Sequence, residues 1–81
     1  MKDTIYEKLA TALKSIKGFV WVNSVSVSES GSTFAADIEA NSGVNFLEVE
    51  KVANAALKSV AYKIRCEQTD LYHTIVSGYI I

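Results

Sequence analysis

Cys66 and His73 are the residues of this chain best suited to nucleophilic chemistry, because an imidazole beside a thiol favours the thiolate. They are its single cysteine and its single histidine. A two-residue turn at Thr69-Asp70 pairs Gln68 with Leu71 and so sets Cys66 opposite His73, with Cβ atoms about 5 Å apart. The same register puts both on the inferred core side of the sheet. A cysteine there acts as a small hydrophobe and a histidine takes one backbone partner, and the sequence offers neither a third orienting residue nor an oxyanion-hole loop. A structural role is therefore expected for both. One cysteine makes no internal disulfide, one of each type completes no Cys/His zinc set, and neither a cofactor nor a metal is implied.

Other candidates are surface groups. Asp37 and Glu39 lie two apart on one strand, project to one face, and could share a cation or a proton. Acids so placed also discourage edge-to-edge aggregation. Lys63 and Arg65 beside Tyr72 make a small basic-aromatic patch of the kind on which single-stranded nucleic acid stacks, with Glu67 in the same row. Val20, Val22, Tyr72, Val76 and Ile80 fall on that same open face, and apolar side chains that would otherwise stand in water mark a protein partner. Ser30-Gly31-Ser32 and Ser42-Gly43 lack the glycine spacing of a phosphate-binding loop and read as turns.

Positioning these residues requires a sheet, and the chain supplies one by reading twice as helix, strand, turn, strand. Ala12-Leu13-Lys14-Ser15-Ile16 closes the first helix and Ala56-Leu57-Lys58-Ser59-Val60 the second. Ile5, Leu9, Ala12, Leu13 and Ile16 recur at helical spacing, with Asp3 as the expected N-cap, Lys14 and Lys17 at the negative end of the dipole, and Gly18 as the stop. The second helix opens at Asn45, with Glu48 as capping-box partner, and carries Val49, Val52, Ala53, Ala56, Leu57 and Val60 on an apolar stripe.

Residues 19–29 and 32–41 alternate with period two about Ser30-Gly31, a pair suited to a tight turn. The resulting register sets Val27 opposite Phe34, Val25 opposite Ala36, Asn23 opposite Ile38 and Trp21 opposite Ala40. Residues 62–68 and 71–81 form the second hairpin, with Ile64 opposite Ile75 and Tyr62 opposite Ser77. On this register residues 78–81 outrun their partner, and Ile80 and Ile81 form an unpaired strand tail that could extend a sheet across two chains. The expected core is Trp21, Val25, Val27, Phe34, Ile38, Ile64 and Ile75 against Leu9, Leu13, Ile16, Ala53, Leu57 and Val60.

The 81 residues suffice for one domain, residues 1–81, with a thin core. Eight Lys plus Arg against nine Asp plus Glu leave a net charge of −1, without the basic excess of a dedicated DNA binder or the acidity of a nucleic-acid mimic. Charges stand where a signal peptide needs an apolar run, and no apolar stretch is long enough for a membrane helix, so a cytoplasmic protein without membrane attachment is expected. The implied fold is α+β: a two-layer sandwich with two helices on one face of a four-stranded, mainly antiparallel sheet, in the order α-β-β-α-β-β. In topology alone the first five elements resemble the small α-β-β-α-β modules of the BON family; that family's glycine pattern is absent, and the resemblance implies no residue role or activity. The function that follows is that of a small non-enzymatic interaction protein, a regulator or inhibitor. It would dock another protein, or itself as a homodimer, through its sheet face or C-terminal strand edge. The alternative is a weak single-stranded nucleic-acid binder.

Overall fold

The computed structural model describes residues 1–41 and 43–81, and Ser42 of the expected Ser-Gly turn lies outside the described residues. The elements run α1 (Lys2–Leu13), β1 (Val20–Val27), β2 (Thr33–Ala40), α2 (Phe46–Leu57), β3 (Ala61–Gln68) and β4 (His73–Ile80). In α1, Ile5, Leu9 and Leu13 recur every fourth residue and are buried, so one stripe of the helix meets the sheet. The N-cap is Met1; Asp3 lies in the first helical turn, where its charge still suits the dipole. Gly18 has φ +109°, a conformation costly for any side chain, and a Cβ there would stand 3.0 Å from Val44 Cγ2. In α2, Asn45 caps as expected, its Oδ1 accepting the Leu47 N–H at 3.0 Å.

The four strands form one antiparallel sheet in the order β1-β2-β4-β3. The two hairpins thus join through their second strands, leaving the first strand of each at an edge. Both helices lie on one face, α1 over β1 and α2 over β3 and β4, and they touch each other. Ile5, Leu9, Leu13, Ile38, Val49, Leu57 and Val76 are fully enclosed between the layers.

The first hairpin keeps the expected register near its turn, with Val27 opposite Phe34 and Val25 opposite Ala36. A bulge then intervenes between Val22 and Ser24, so Val22 faces Ile38, Trp21 faces Glu39 and Val20 faces Ala40. The extra residue flips every side chain beyond it. Trp21 leaves the core for the open face, while Val22 enters it and Val20 packs against it.

The second hairpin differs over its whole length. Its loop holds four residues, 69–72, and Gln68 pairs with Thr74 and Cys66 with Val76. Asp70 fixes this wider turn, its Oδ1 accepting the Tyr72 N–H at 2.8 Å, while the Thr69 N–H donates to the His73 carbonyl at 2.9 Å. The register moves by an odd number of residues, so β4 presents Thr74, Val76 and Ile80 to the helices and His73 and Ile75 to the open face. A second bulge between Tyr62 and Arg65, with Lys63 at φ 51°, keeps Ile64 on the core side and Arg65 outside. The C-terminal tail is not free. Ile80 pairs with Ala61 and donates its N–H to the Ser32 carbonyl at 2.8 Å, and the Ile81 N–H reaches the Val60 carbonyl at 3.0 Å.

Candidate interaction surface

The sheet face turned away from the helices is uncovered, and the pairings arrange its side chains in rows across the strands. At one end the row is Trp21, Glu39, His73; next come Ser24, Asp37, Ile75, Glu67; then Ser26, Ala35, Ser77, Arg65; and at the far end Thr33, Tyr79, Tyr62. Trp21, Tyr79 and Tyr62 are between two fifths and half exposed, so three large rings lie partly open on this one face.

The acidic end is held by a continuous chain of hydrogen bonds. The Trp21 indole donates to Asn23 Oδ1 at 2.9 Å, and Asn23 Nδ2 donates to Glu39 Oε1 at 2.8 Å. Glu39 Oε1 lies 3.2 Å from His73 Nε2, and the Asp70 carboxylate oxygens lie 2.9 and 3.0 Å from His73 Nδ1. Both ring nitrogens therefore meet carboxylates, an arrangement satisfied in full only by the imidazolium. The hydrogen bond that His73 donates to the Asp70 carboxylate raises the His73 pKa above 6.5, against partial desolvation, with the charges of Asp70 and Glu39 adding to the rise. Asp70 is held below 3.8, first by the Tyr72 N–H and then by His73.

These shifts have opposite consequences for stability. The contribution of His73, whose folded pKa is raised, is complete below about 6.5 and is lost as pH rises through the folded value. That of Asp70, whose folded pKa is lowered, is present above about 3.8 and is lost as pH falls through its folded value. The clasp thus stabilises most between the two. In urea denaturation, the wild type is expected to lose more stability than His73→Gln between about pH 5 and about pH 8. Equal losses in the two proteins would remove the clasp.

At the other end Tyr62 and Tyr79 stack across the β3–β4 pair, with centroids 5.5 Å apart and planes 25° from parallel. A depression of about 290 Å³ beside them is lined by Thr33, Lys63, Arg65, Ser77 and Tyr79. A wider concavity, about 940 Å³, runs along α2 past Asn45, Leu47, Glu50 and Asn54 and contains none of the candidate partner-binding residues.

The residues read as partner-binding from sequence separate in the fold. Lys63 and Arg65 are exposed at the basic end, as expected. Val22 and Val76 are buried in the core, and Val20 and Ile80 pack against it, because each lies beyond a register change. Tyr72 is exposed but sits in the β3–β4 loop beyond His73, five residues along the chain from Ser77, the partner of Arg65. The aromatics beside the two cations are instead Tyr62 and Tyr79. The residues missed were Trp21, Tyr62 and Tyr79, and the only sequence signal for them was their type.

Cys66 and His73 are not neighbours, since one points to the helices and the other to the open face. The thiol is half-buried, and burial, with the nearby charge of Glu50, pushes its pKa up to about 11. Native-state alkylation should be slow at neutral pH and rise with a midpoint near 11. A midpoint below that of a free thiol, near 8.5, would contradict the packing.

Asp37 and Glu39 do share the open face, where Asn23 Nδ2 bridges them, 3.4 Å from Asp37 Oδ2. Among the described residues no group of three or more His, Cys, Asp or Glu could hold a metal, and no helix is long and apolar enough to cross a membrane. No protein-family model, curated protein or solved structure matches the chain.

Proposed function

We propose that the chain is a small non-enzymatic interaction protein, a regulator or inhibitor, that docks the open face of its sheet on another protein. The observation that carries this reading is that three exposed aromatics, Trp21, Tyr62 and Tyr79, stand with Arg65 on a face no helix covers. Trp, Tyr and Arg are the side chains that dominate binding energy when a partner excludes water around them. The state of the chemical candidates supports the same reading. His73 has both nitrogens engaged by carboxylates, and Cys66 holds its proton well above neutral pH. The C-terminal strand offers no docking edge, because β4 is paired on both sides. Each true edge strand, β1 and β3, carries a bulge, a device that discourages strand addition.

Single-stranded nucleic acid is the second reading, since Tyr62, Tyr79, Lys63 and Arg65 combine ring faces with cations. Against it, the two rings stack on each other, and Asp37, Glu39 and Glu67 repel phosphate across the rest of the face. Trp21 is the only tryptophan and lies on this face, so its fluorescence reports any occupant directly. Titration with mixed-sequence single-stranded oligonucleotides at low and high salt is expected to leave it unchanged. A saturable change that weakens with salt would overturn the protein-docking reading in favour of nucleic acid.

A further inference from the structure

We infer that the occupant of the open face is a second copy of this chain, docked face to face about a two-fold axis that lies between the sheets and perpendicular to their strands; this rests on the reading of that face as a docking surface. Arg65 and Glu67 stand two apart on β3, project to the open face and are exposed. Among the described residues, the ion pairs are those of His73 with Glu39 and with Asp70, so neither Arg65 nor Glu67 is held in an ion pair within the chain. A two-fold axis passing between their rows sets Arg65 of one protomer against Glu67 of its partner, and the reverse contact follows by symmetry.

The same rotation lays the Tyr79 end of one face over the His73 and Glu39 end of the other, where tyrosine hydroxyls find carboxylates and ring faces find the half-covered Ile75. Small side chains in the central rows, Ala35 and Ser77, let the two layers approach. An axis parallel to the strands lacks this complementarity, because it would exchange β3 with β1 and β4 with β2 and so set Arg65 over Ser26 and Tyr79 over Thr33. The area is sufficient. Four strands about 4.8 Å apart and eight residues long, at about 3.4 Å each, present roughly 500 Å² per protomer, or roughly 1,000 Å² for the pair, the lower bound for a specific interface. A reversible dimer is the result.

Analytical ultracentrifugation of four samples tests it: wild type, Arg65→Glu, Glu67→Arg, and an equimolar mixture of the two variants. Wild type should dimerise reversibly, and each variant alone should associate at least about tenfold more weakly, because like charges then face each other twice. The mixture should recover dimer, since the acidic face of one variant meets the basic face of the other. Circular dichroism melts of the variants, matched to wild type, establish that both are folded; exposed charges on an edge strand make that the expected result. A wild type that stays monomeric up to about 1 mM overturns the second copy as occupant. So does a dimer indifferent to both substitutions, or a mixture that fails to recover. In each of those cases a blank oligonucleotide titration leaves the protein-docking reading intact, whereas a salt-sensitive one removes it and the inference together.

Discussion

Replacing Leu57 by alanine is expected to cost about 2–5 kcal/mol of folding stability, out of the roughly 5–15 kcal/mol typical of a domain. Leu57 is the last residue of α2 and is fully buried, in the cluster that joins both helices to the sheet. Removing its isobutyl group forfeits the transfer free energy of the lost atoms and leaves a cavity that two helices pinned to one sheet cannot readily close. In so small a chain this approaches the whole margin of stability. Leu47 on the same helix is 69 % exposed, and Leu47→Ala should change stability by no more than about 0.5 kcal/mol. Chemical denaturation of the two variants side by side is the measurement. A loss below about 1 kcal/mol for Leu57→Ala would mean that α2 does not present this face to the sheet.

The elements, their order and the helix faces were legible in the sequence because they rest on periodicity sustained over many residues. Leu9, Leu13, Ile16, Ala53 and Leu57 are buried as expected, and so are Val25, Phe34 and Ile38. Trp21 and Ile75, also expected inside, lie on the open face, and the error has one physical source. Alternation specifies a strand's faces only while its two sets of residues differ in character. Around Trp21 they do not: Phe19, Val20, Trp21 and Val22 are all apolar, so either set could face inward, and a bulge at Asn23 was free to switch them. In β4 the same ambiguity holds for Ile75 and Val76, and the loop decided it. Asp70 closes a four-residue turn by accepting the Tyr72 N–H, which the local sequence permits as readily as a two-residue turn.

The interaction surface inherits those two switches. Arg65 and Lys63 were found from sequence because charge marks an exposed position whatever the register. Val20, Val22, Val76 and Ile80 were misplaced because apolar character does not, and their places on the open face are taken by Trp21, Ile75, Tyr62 and Tyr79.

The second register is therefore the point on which the surface depends, and a single substitution made at adjacent positions decides it. Val76 is fully buried at the centre of the sheet, whereas Ile75, one residue earlier, lies on the open face opposite Asp37 and Glu67. Val76→Lys would place an ammonium in the apolar layer between sheet and helices, in the row of Ala36 and Cys66, a loss on the order of 5 kcal/mol, enough to unfold most of the population. Ile75→Lys should lose about 1 kcal/mol or less, because its stem lies along the sheet while its charge reaches water and two acids. The comparison is made by urea denaturation at low protein concentration, where any dimer has dissociated and only the fold is measured. If the order is reversed, with Val76→Lys tolerated and Ile75→Lys unfolded, then β4 is turned over. His73 would then face the helices, and the row that sets Ile75 beside Glu67 would no longer exist on the surface.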